Sequence, residues 1–436
     1  MEEQAIRHLL NGRRYLLLQG PMGPCFARLA TWLQHSHREV KQVCFNAGDA
    51  WYAAKETSLH YTGPVKNFAF WLHDLHKEYA FDTIVCFGDC RPMHVEAKKW
   101  ARGKAIDFLV FEEGYFRPFY ITLEKGGVNA FSSMPIDAKY YREQPLPELK
   151  TPTPWKPSAF NRAAHAMLYY AAGWFGRHRY RGYRHHKSFS PWYEMRCWVR
   201  AGRRKLWYRW KQRHMLSHIT ETLDNAYYLA ILQVYNDSQI IHHSPYKDVR
   251  DYIETVIRSF ARHAPKEHHL VFKHHPMDRG HRYYGVLINT LCEKYGITTD
   301  RVIYIHDLSL PALLTHTRGV ITVNSTAGLS ALIHNKPLKV MGKALYDIEG
   351  LTWQGPLNQF WQTDFAPDKQ LFHRFRTHLL YNTQINAVFY GKSDWLNVPT
   401  ELPRFRTRTL IHHSAGEIAP ADPICPSLLS PRCKNN

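Results

Sequence analysis

The sequence is short of acids. Its 436 residues carry 37 Asp and Glu against 57 Lys and Arg, a formal charge of +20. So basic a chain should meet anions, whether nucleic acid, a lipid headgroup surface or an acidic sugar nucleotide. Long apolar runs are also missing. No stretch reaches the roughly 18 uninterrupted apolar residues that a spanning helix needs. Met1-Glu2-Glu3 is acidic where a secretory signal is basic, and no apolar core follows it. Cysteine is sparse: Cys25, Cys44, Cys86, Cys90, Cys197, Cys292, Cys425 and Cys433 are scattered through the chain. That pattern leads us to expect reduced thiols and a cytoplasmic protein. Cys86 and Cys90 flank a turn, but with no second pair nearby no metal site is expected.

What is present is a globular composition, 44% hydrophobic, with length enough for two domains. Aromatics reach 14%, many of them Trp and Tyr, which suit carbohydrate and membrane-interface surfaces. Residues 13–18 read as a first strand, running into Gln19-Gly20-Pro21-Met22-Gly23-Pro24 and a helix from Cys25 to His35. Such a turn is a ligand-binding entry or an ordinary tight βα turn. Further strands are expected at 43–46, 83–87 and 106–111, with a helix over 68–79. This alternation predicts a Rossmann-like domain. Its last strand leads to Glu112-Glu113-Gly114. Adjacent carboxylates at a strand end stand where open α/β sheets place their sites. Mutual crowding raises a carboxyl pKa toward acid/base use. A helix cap or a solvated turn would read the same way.

A Pro-rich linker follows from about Pro145, then an apolar segment from Ala163 to Trp174. The stretch from Arg177 to Arg213 has one acid, Glu194, among many Lys and Arg interleaved with Trp and Tyr. It suits an anionic membrane surface, nucleic acid or a solvated helix, and no nucleic-acid fold signature accompanies it. A second run of strands is expected at 228–234, 269–273, 302–305, 319–323 and 337–341. They end in Asp237, in Lys273 with His275-Pro276, in His306, in Asn324-Ser325-Thr326 and in Gly342. Buried parallel strands with crossover helices have this signature. Asp237 lies in a loop of good turn chemistry. Small hydroxyl residues at a helix start either cap it or leave backbone amides for a phosphate.

The trio Glu112-Glu113-Gly114, His275-Pro276 and Ser325-Thr326 resembles the motifs of bacterial sialyltransferases and related enzymes that use CMP-activated acidic sugars. Longer motifs resemble the KpsS/LipB-type capsule polysaccharide proteins: residues 19–24, Cys86 to Pro92, Phe111 to Pro118, Leu232 to Gln239, Lys273 to Asp278 and Val323 to Gly328. The resemblance implies an α/β, GT-B-like fold, two Rossmann-like domains with a cleft between them. Residues 1–144 would be the acceptor-side domain and 145–222 a linker with a membrane-facing basic-aromatic segment. Residues 223–345 would form the nucleotide-sugar domain, 346–390 crossover helices and 391–436 a variable tail.

It further implies a retaining β-Kdo transferase that takes an eight-carbon keto-sugar acid from CMP-Kdo. The acceptor would be a phosphatidylglycerol-type lipid, which starts the linker of a capsule at the cytoplasmic face of the inner membrane. No cofactor or metal is expected, because CMP-Kdo leaves as a monophosphate ester. Partners would be other capsule proteins and not nucleic acid. Within this reading Asp237 is the nucleophile, and Glu113 or Glu112 is the acid/base. Lys273, His275, Pro276, His306, Asn324, Ser325 and Thr326 bind the donor. Arg117, Gln19 and Gly20 meet the substrate carboxylate or the acceptor. Transfer from another CMP-sugar such as sialic acid, and a non-catalytic role in capsule assembly or export, are the competing readings.

Overall fold

The short apolar runs become strands, several of them giving way to a small or polar residue such as Gly88, Gly114 or His306. The computed structural model describes residues 4–183, 191–235, 244–393 and 395–397. All of these fall within one compact unit. The N-terminal half contains β1 (Arg14–Leu17), β2 (Glu39–Cys44), β3 (Ser58–His60), β4 (Thr83–Phe87), β5 (Asp107–Glu113) and β6 (Ile121–Lys125). Its helices are α1 (Gln4–Leu10), α2 (Cys25–His35), α3 (Ala47–Tyr52), α4 (Phe68–Tyr79), α5 (Pro92–Ala101) and α6 (Ala138–Glu143). Two longer helices, α7 (Ala159–Phe175) and α8 (Pro191–Lys211), lead to the C-terminal half.

That half contains β7 (Tyr227–Ile231), β8 (His269–Lys273), β9 (Val302–Ile305), β10 (Gly319–Thr322) and β11 (Leu338–Val340). Its helices are α9 (Val249–His263), α10 (Gly285–Tyr295), α11 (Leu310–His316) and α12 (Ala327–Ile333). Helix α9 shows why these segments fold as they do. Val249, Tyr252, Ile253, Val256, Ile257 and Phe260 recur at helical spacing and are all buried, and Asp248 with Asp251 forms a capping box at its start. Each large apolar side chain buried this way contributes about 1.5–3 kcal/mol.

The two sheets repeat one topology. Parallel strands lie in the order β3-β2-β1-β4-β5 in the first sheet and β9-β8-β7-β10-β11 in the second. Each is a Rossmann-like half whose strand order reverses beside its first strand, and ligands bind outside the carboxyl ends of strands at such a switch point. The second sheet is wholly parallel, while the first gains two antiparallel strands. β6 pairs with β5, placing Glu112 opposite Thr122, and β12 (Gln384–Ile385) pairs with β6. Helix α13 (Lys369–Thr383) carries the chain back from the second half and packs on α1, α6 and β6. One core cluster joins the halves, with Phe116 and Tyr141 packed among Leu229, Val271, Leu329 and Phe375.

Several boundaries differ from the sequence expectation. β2 begins at Glu39, β5 runs on to Glu113, and β7 stops at Ile231. Strand β6 was not expected at all, and part of 346–390 is a strand of the first sheet. The apolar segment from Ala163 to Trp174 lies in α7, whose Ala166, Tyr169, Tyr170 and Gly173 are buried, with α3 as its main contact. The expected tail from 398 onward lies outside the described residues, as does Asp237.

Candidate active site

In the N-terminal half the switch point lies between β1 and β4. Gln19 and Gly20 follow β1, and Arg91 sits in the loop after β4. Arg91 Nη1 donates to the Gly20 carbonyl at 3.3 Å, tying the two loops together. Gly20 itself is pressed against Phe26; a Cβ there would come within 2.5 Å of the ring. Gln19 is 3% exposed. Its Nε2 donates to both Asp49 carboxylate oxygens at 3.1 and 3.0 Å and reaches the Tyr169 hydroxyl at 2.8 Å. Tyr169 in turn donates to Asp49 at 2.8 Å. Gln19 is thus held in a buried network that fixes α7 to the sheet. Burial drives the Asp49 carboxyl upward, opposed by the hydrogen bonds from Gln19 and Tyr169.

The acid pair ends β5, where successive side chains point to opposite faces. That geometry separates their environments. Glu113 forms an ion pair with Arg162 of α7 at 2.9 Å, and Arg162 lies 5.0 Å from the Tyr390 ring centre. Glu112 is half-buried, accepts from the Glu113 amide at 3.0 Å and has no ion-pair partner within 4 Å among the described residues. Burial pushes its carboxyl up to about 7, with the Glu113 charge adding to the rise and Arg117 and Arg91 holding it down. Gly114 packs against the Tyr120 carbonyl, where a Cβ would sit 1.9 Å from the oxygen. Tyr115 next to it donates to Glu124 at 2.6 Å and accepts from the Asn129 amide.

Across the crevice, the C-terminal half presents the ends of β7, β8 and β10. Gln233 Nε2 donates to Asn324 Oδ1 at 2.9 Å, which spans that sheet's own switch point. His275 caps the turn Pro276–Asp278, and its Nδ1 accepts from the Met277 amide at 3.2 Å. Burial, aided by the charges of Arg117 and Lys273, lowers its pKa to about 4. The ring is therefore neutral, with its proton on Nε2, ready to donate to an anion. Pro276 is exposed beside it. The two halves meet beside these strand ends, where Tyr115 and Phe116 pack in one core with Val271 and Leu329. A narrow crevice is lined by Tyr115, Asn129 and Ala130 from one half and by Asn324, Thr326 and Lys343 from the other.

Two expected donor residues are used in other ways. Lys273 is 7% exposed and its Nζ donates to the His306 carbonyl at 3.1 Å, while burial lowers its pKa to about 8. The His306 ring stacks on Tyr208 of α8 at 3.5 Å between centres and faces the Gln212 side chain at 3.3 Å. Both residues act as joints between β8, β9 and α8. Of the two readings of the start of α12, capping or amides left for a phosphate, the hydrogen bonds favour capping. The Ala327 amide donates to the Ser325 hydroxyl, Gly328 to the Ser325 carbonyl and Leu329 to the Thr326 carbonyl. The groups that reach the crevice from this turn are Asn324 and Thr326.

Sequence reasoning missed Arg91, Arg162 and the Asp49 network. Arg91 had a signal, since it lies within one of the resembling motifs, Cys86 to Pro92. Arg162 and Tyr169 become neighbours of the site only through tertiary packing.

Residues 82–390 match the family described as "Capsule polysaccharide biosynthesis protein". The chain belongs to that family. Its relatives include the capsule polysaccharide export protein KpsS of Escherichia coli, 58% identical over 392 residues, 89% of this chain and 100% of that protein. The capsule polysaccharide modification protein LipB of Neisseria meningitidis serogroup B is 40% identical, covering 90% of this chain and 95% of LipB. Among solved structures, Thermosulfurimonas dismutans KpsC, described as a beta Kdo 2,7 transferase, matches with a TM-score of 0.39 and 14% identity, over 82% of this chain and 88% of that one. The motifs that carry the resemblance lie at or after the ends of β1, β4, β5, β7, β8 and β10, the one after β7 running on beyond the described residues. Asn324 and Thr326 line the crevice, while Lys273 and His306 are tied into the packing of β8, β9 and α8.

Proposed function

We propose that this capsule protein is a glycosyltransferase that moves Kdo from CMP-Kdo to a phosphatidylglycerol-type lipid and starts the linker of the capsular polysaccharide. What supports the reading is the packing of the two halves beside these strand ends, with Tyr115 and Phe116 in one core with Val271 and Leu329, and the chemistry found there: Glu112 raised to about 7 and a neutral His275. An unpaired carboxyl near neutrality suits proton transfer from an acceptor hydroxyl. A neutral imidazole, a guanidinium and amide side chains suit a leaving phosphate and a sugar carboxylate without a metal.

In this reading Asp237 attacks the anomeric carbon, and the bond to the phosphate oxygen breaks with its electron pair leaving on CMP. His275 donates to that phosphate. The acceptor oxygen then displaces the Asp237 carboxylate, and its proton passes to Glu112. Two inversions give net retention. Arg117 holds the Kdo carboxylate. Acting on a lipid, the protein works peripherally at the cytoplasmic face of the inner membrane, with other capsule proteins.

The test is incubation with CMP-Kdo and a fluorescent phosphatidylglycerol analogue, with mass spectrometry of the product. One added Kdo is expected, lost in Asp237→Ala while CMP still binds. Full activity in Asp237→Ala removes that residue from the mechanism. Product from CMP-sialic acid and none from CMP-Kdo would replace the donor. No product from either, with CMP unbound, would favour a non-catalytic assembly role.

A further inference from the structure

Helix α8 has two faces with different tasks. Glu194, Cys197, Ala201, Arg204, Tyr208 and Gln212 recur at three- and four-residue spacing and are the covered positions. They pack against the loops after β8 and β9. Arg204 donates to the Arg279 carbonyl at 2.8 Å, and Tyr208 stacks on His306. The fit is close: a Cβ on Gly280 would lie 2.3 Å from the Cys197 carbonyl oxygen. This face is a wall of the turn that carries His275.

Among the described residues nothing covers the opposite face. Trp192, Met195, Val199, Leu206 and Trp210 fall within roughly 60° of one another at about 100° per residue. Their exposures are 68%, 47%, 59%, 68% and 60%. An apolar ridge this exposed is an interaction surface rather than ordinary surface texture. Exposed Arg196 and Arg203 flank it on one side and Arg209 on the other.

We infer that this ridge inserts into the headgroup layer of an anionic bilayer, with α8 lying in the plane of the membrane. The charge of the flanks selects the occupant. Basic side chains beside Trp, Leu and Val match lipid phosphates next to acyl chains. Nucleic acid offers nothing to aliphatic Val199 and Leu206, and a second basic copy of the chain would bring like charges together. Because the inner face of α8 holds the donor-side loops, docking sets the His275 side of the cleft at the bilayer. The purpose of that placement rests on the lipid-acceptor reading above; the docking itself does not.

The experiment is sedimentation of the full chain with vesicles of equal parts phosphatidylethanolamine and phosphatidylglycerol, and with phosphatidylcholine vesicles. Binding to the anionic vesicles alone is expected. The combined variant Trp192→Ser, Leu206→Ser, Trp210→Ser should weaken it by about tenfold or more, with CMP binding and thermal unfolding unchanged. Arg196→Gln with Arg203→Gln should weaken it and flatten its salt dependence, which keeps the idea testable if the first variant misfolds. Equal binding to phosphatidylcholine, undiminished binding in both variants, displacement by a DNA duplex, or a dimer lost in the ridge variant would each overturn the inference. Vesicle binding without Kdo transfer would keep the docking surface and sink the transferase reading. Transfer to a water-soluble acceptor without vesicle binding would do the reverse.

Discussion

Gln233 and Asn324 stand on the loops leaving β7 and β10, and the Gln233 amide donates to the Asn324 side chain at 2.9 Å. The two loops belong to the strands at which the order of the second sheet reverses, so this bond closes the floor of the proposed nucleotide crevice. Replacing Gln233 with Ala should loosen both loops. A buried neutral hydrogen bond contributes about 1 kcal/mol, so CMP should bind about fivefold more weakly by calorimetry, with little change in thermal stability. Unchanged affinity would separate this bridge from donor binding.

The two carboxylates of the Glu-Glu-Gly motif are predicted to differ sharply. Glu112 has no ion-pair partner among the described residues and is raised to about 7, whereas Glu113 is spent on Arg162. Glu112→Gln should lower kcat by about a hundredfold or more, the range of general acid–base catalysis. Glu113→Gln should cost far less and act through the position of α7. Steady-state kinetics on the lipid analogue distinguishes them. A larger loss in Glu113→Gln would exchange their roles.

That distinction was not legible in the sequence, and the reason is physical. Alternation along a strand puts neighbours on opposite faces, but only the packed α7 shows which face holds an arginine. The repeated βα pattern, by contrast, was readable, because buried parallel strands are short apolar runs between turn residues. The helices at Cys25–His35 and Phe68–Tyr79 match expectation residue for residue. β12 has two residues and no periodicity to detect. The Gln19 network joins positions 150 residues apart. At Ser325 the sequence left both capping and free amides open, and only the structure shows its hydroxyl and carbonyl taking two of those amides.

The pH dependence of transfer should report Glu112. As the base it must be ionised, so kcat/KM should rise with pH through about 7, the value that burial gives its carboxyl. His275, held near 4 by burial, stays neutral over that range and adds no limb. Arg91 stabilises the Glu112 carboxylate, so Arg91→Met should move the ascending limb to higher pH while leaving its shape. A limb that moves down, or stays put in Glu112→Asp and Arg91→Met alike, would assign it to another group.

Acid should destabilise the fold through its buried histidines. Burial lowers the pKa of His94 and His306 to about 3 and of His274 to about 4. Exposures of 0%, 4% and 2% leave little solvent screening. These rings are neutral in the fold but take a proton when unfolded near the ordinary value of 6.5. Their stability contribution is present above about 6.5 and is lost as pH falls toward 3–4, at about 2 kcal/mol per ring by pH 5. Raised carboxyls such as Glu124, driven to about 7 by burial, act in the opposite sense and soften the fall between about 7 and 4.5. His306→Phe preserves a flat ring against Tyr208 but has no proton to gain. Its unfolding midpoint in denaturant should therefore drop less than that of the parent between pH 7 and 5, even if it starts lower through the lost Gln212 contact. Parallel pH curves for the two proteins would mean that His306 is already solvated or charged in the native state, and the stacked joint between α8 and β9 would need another account.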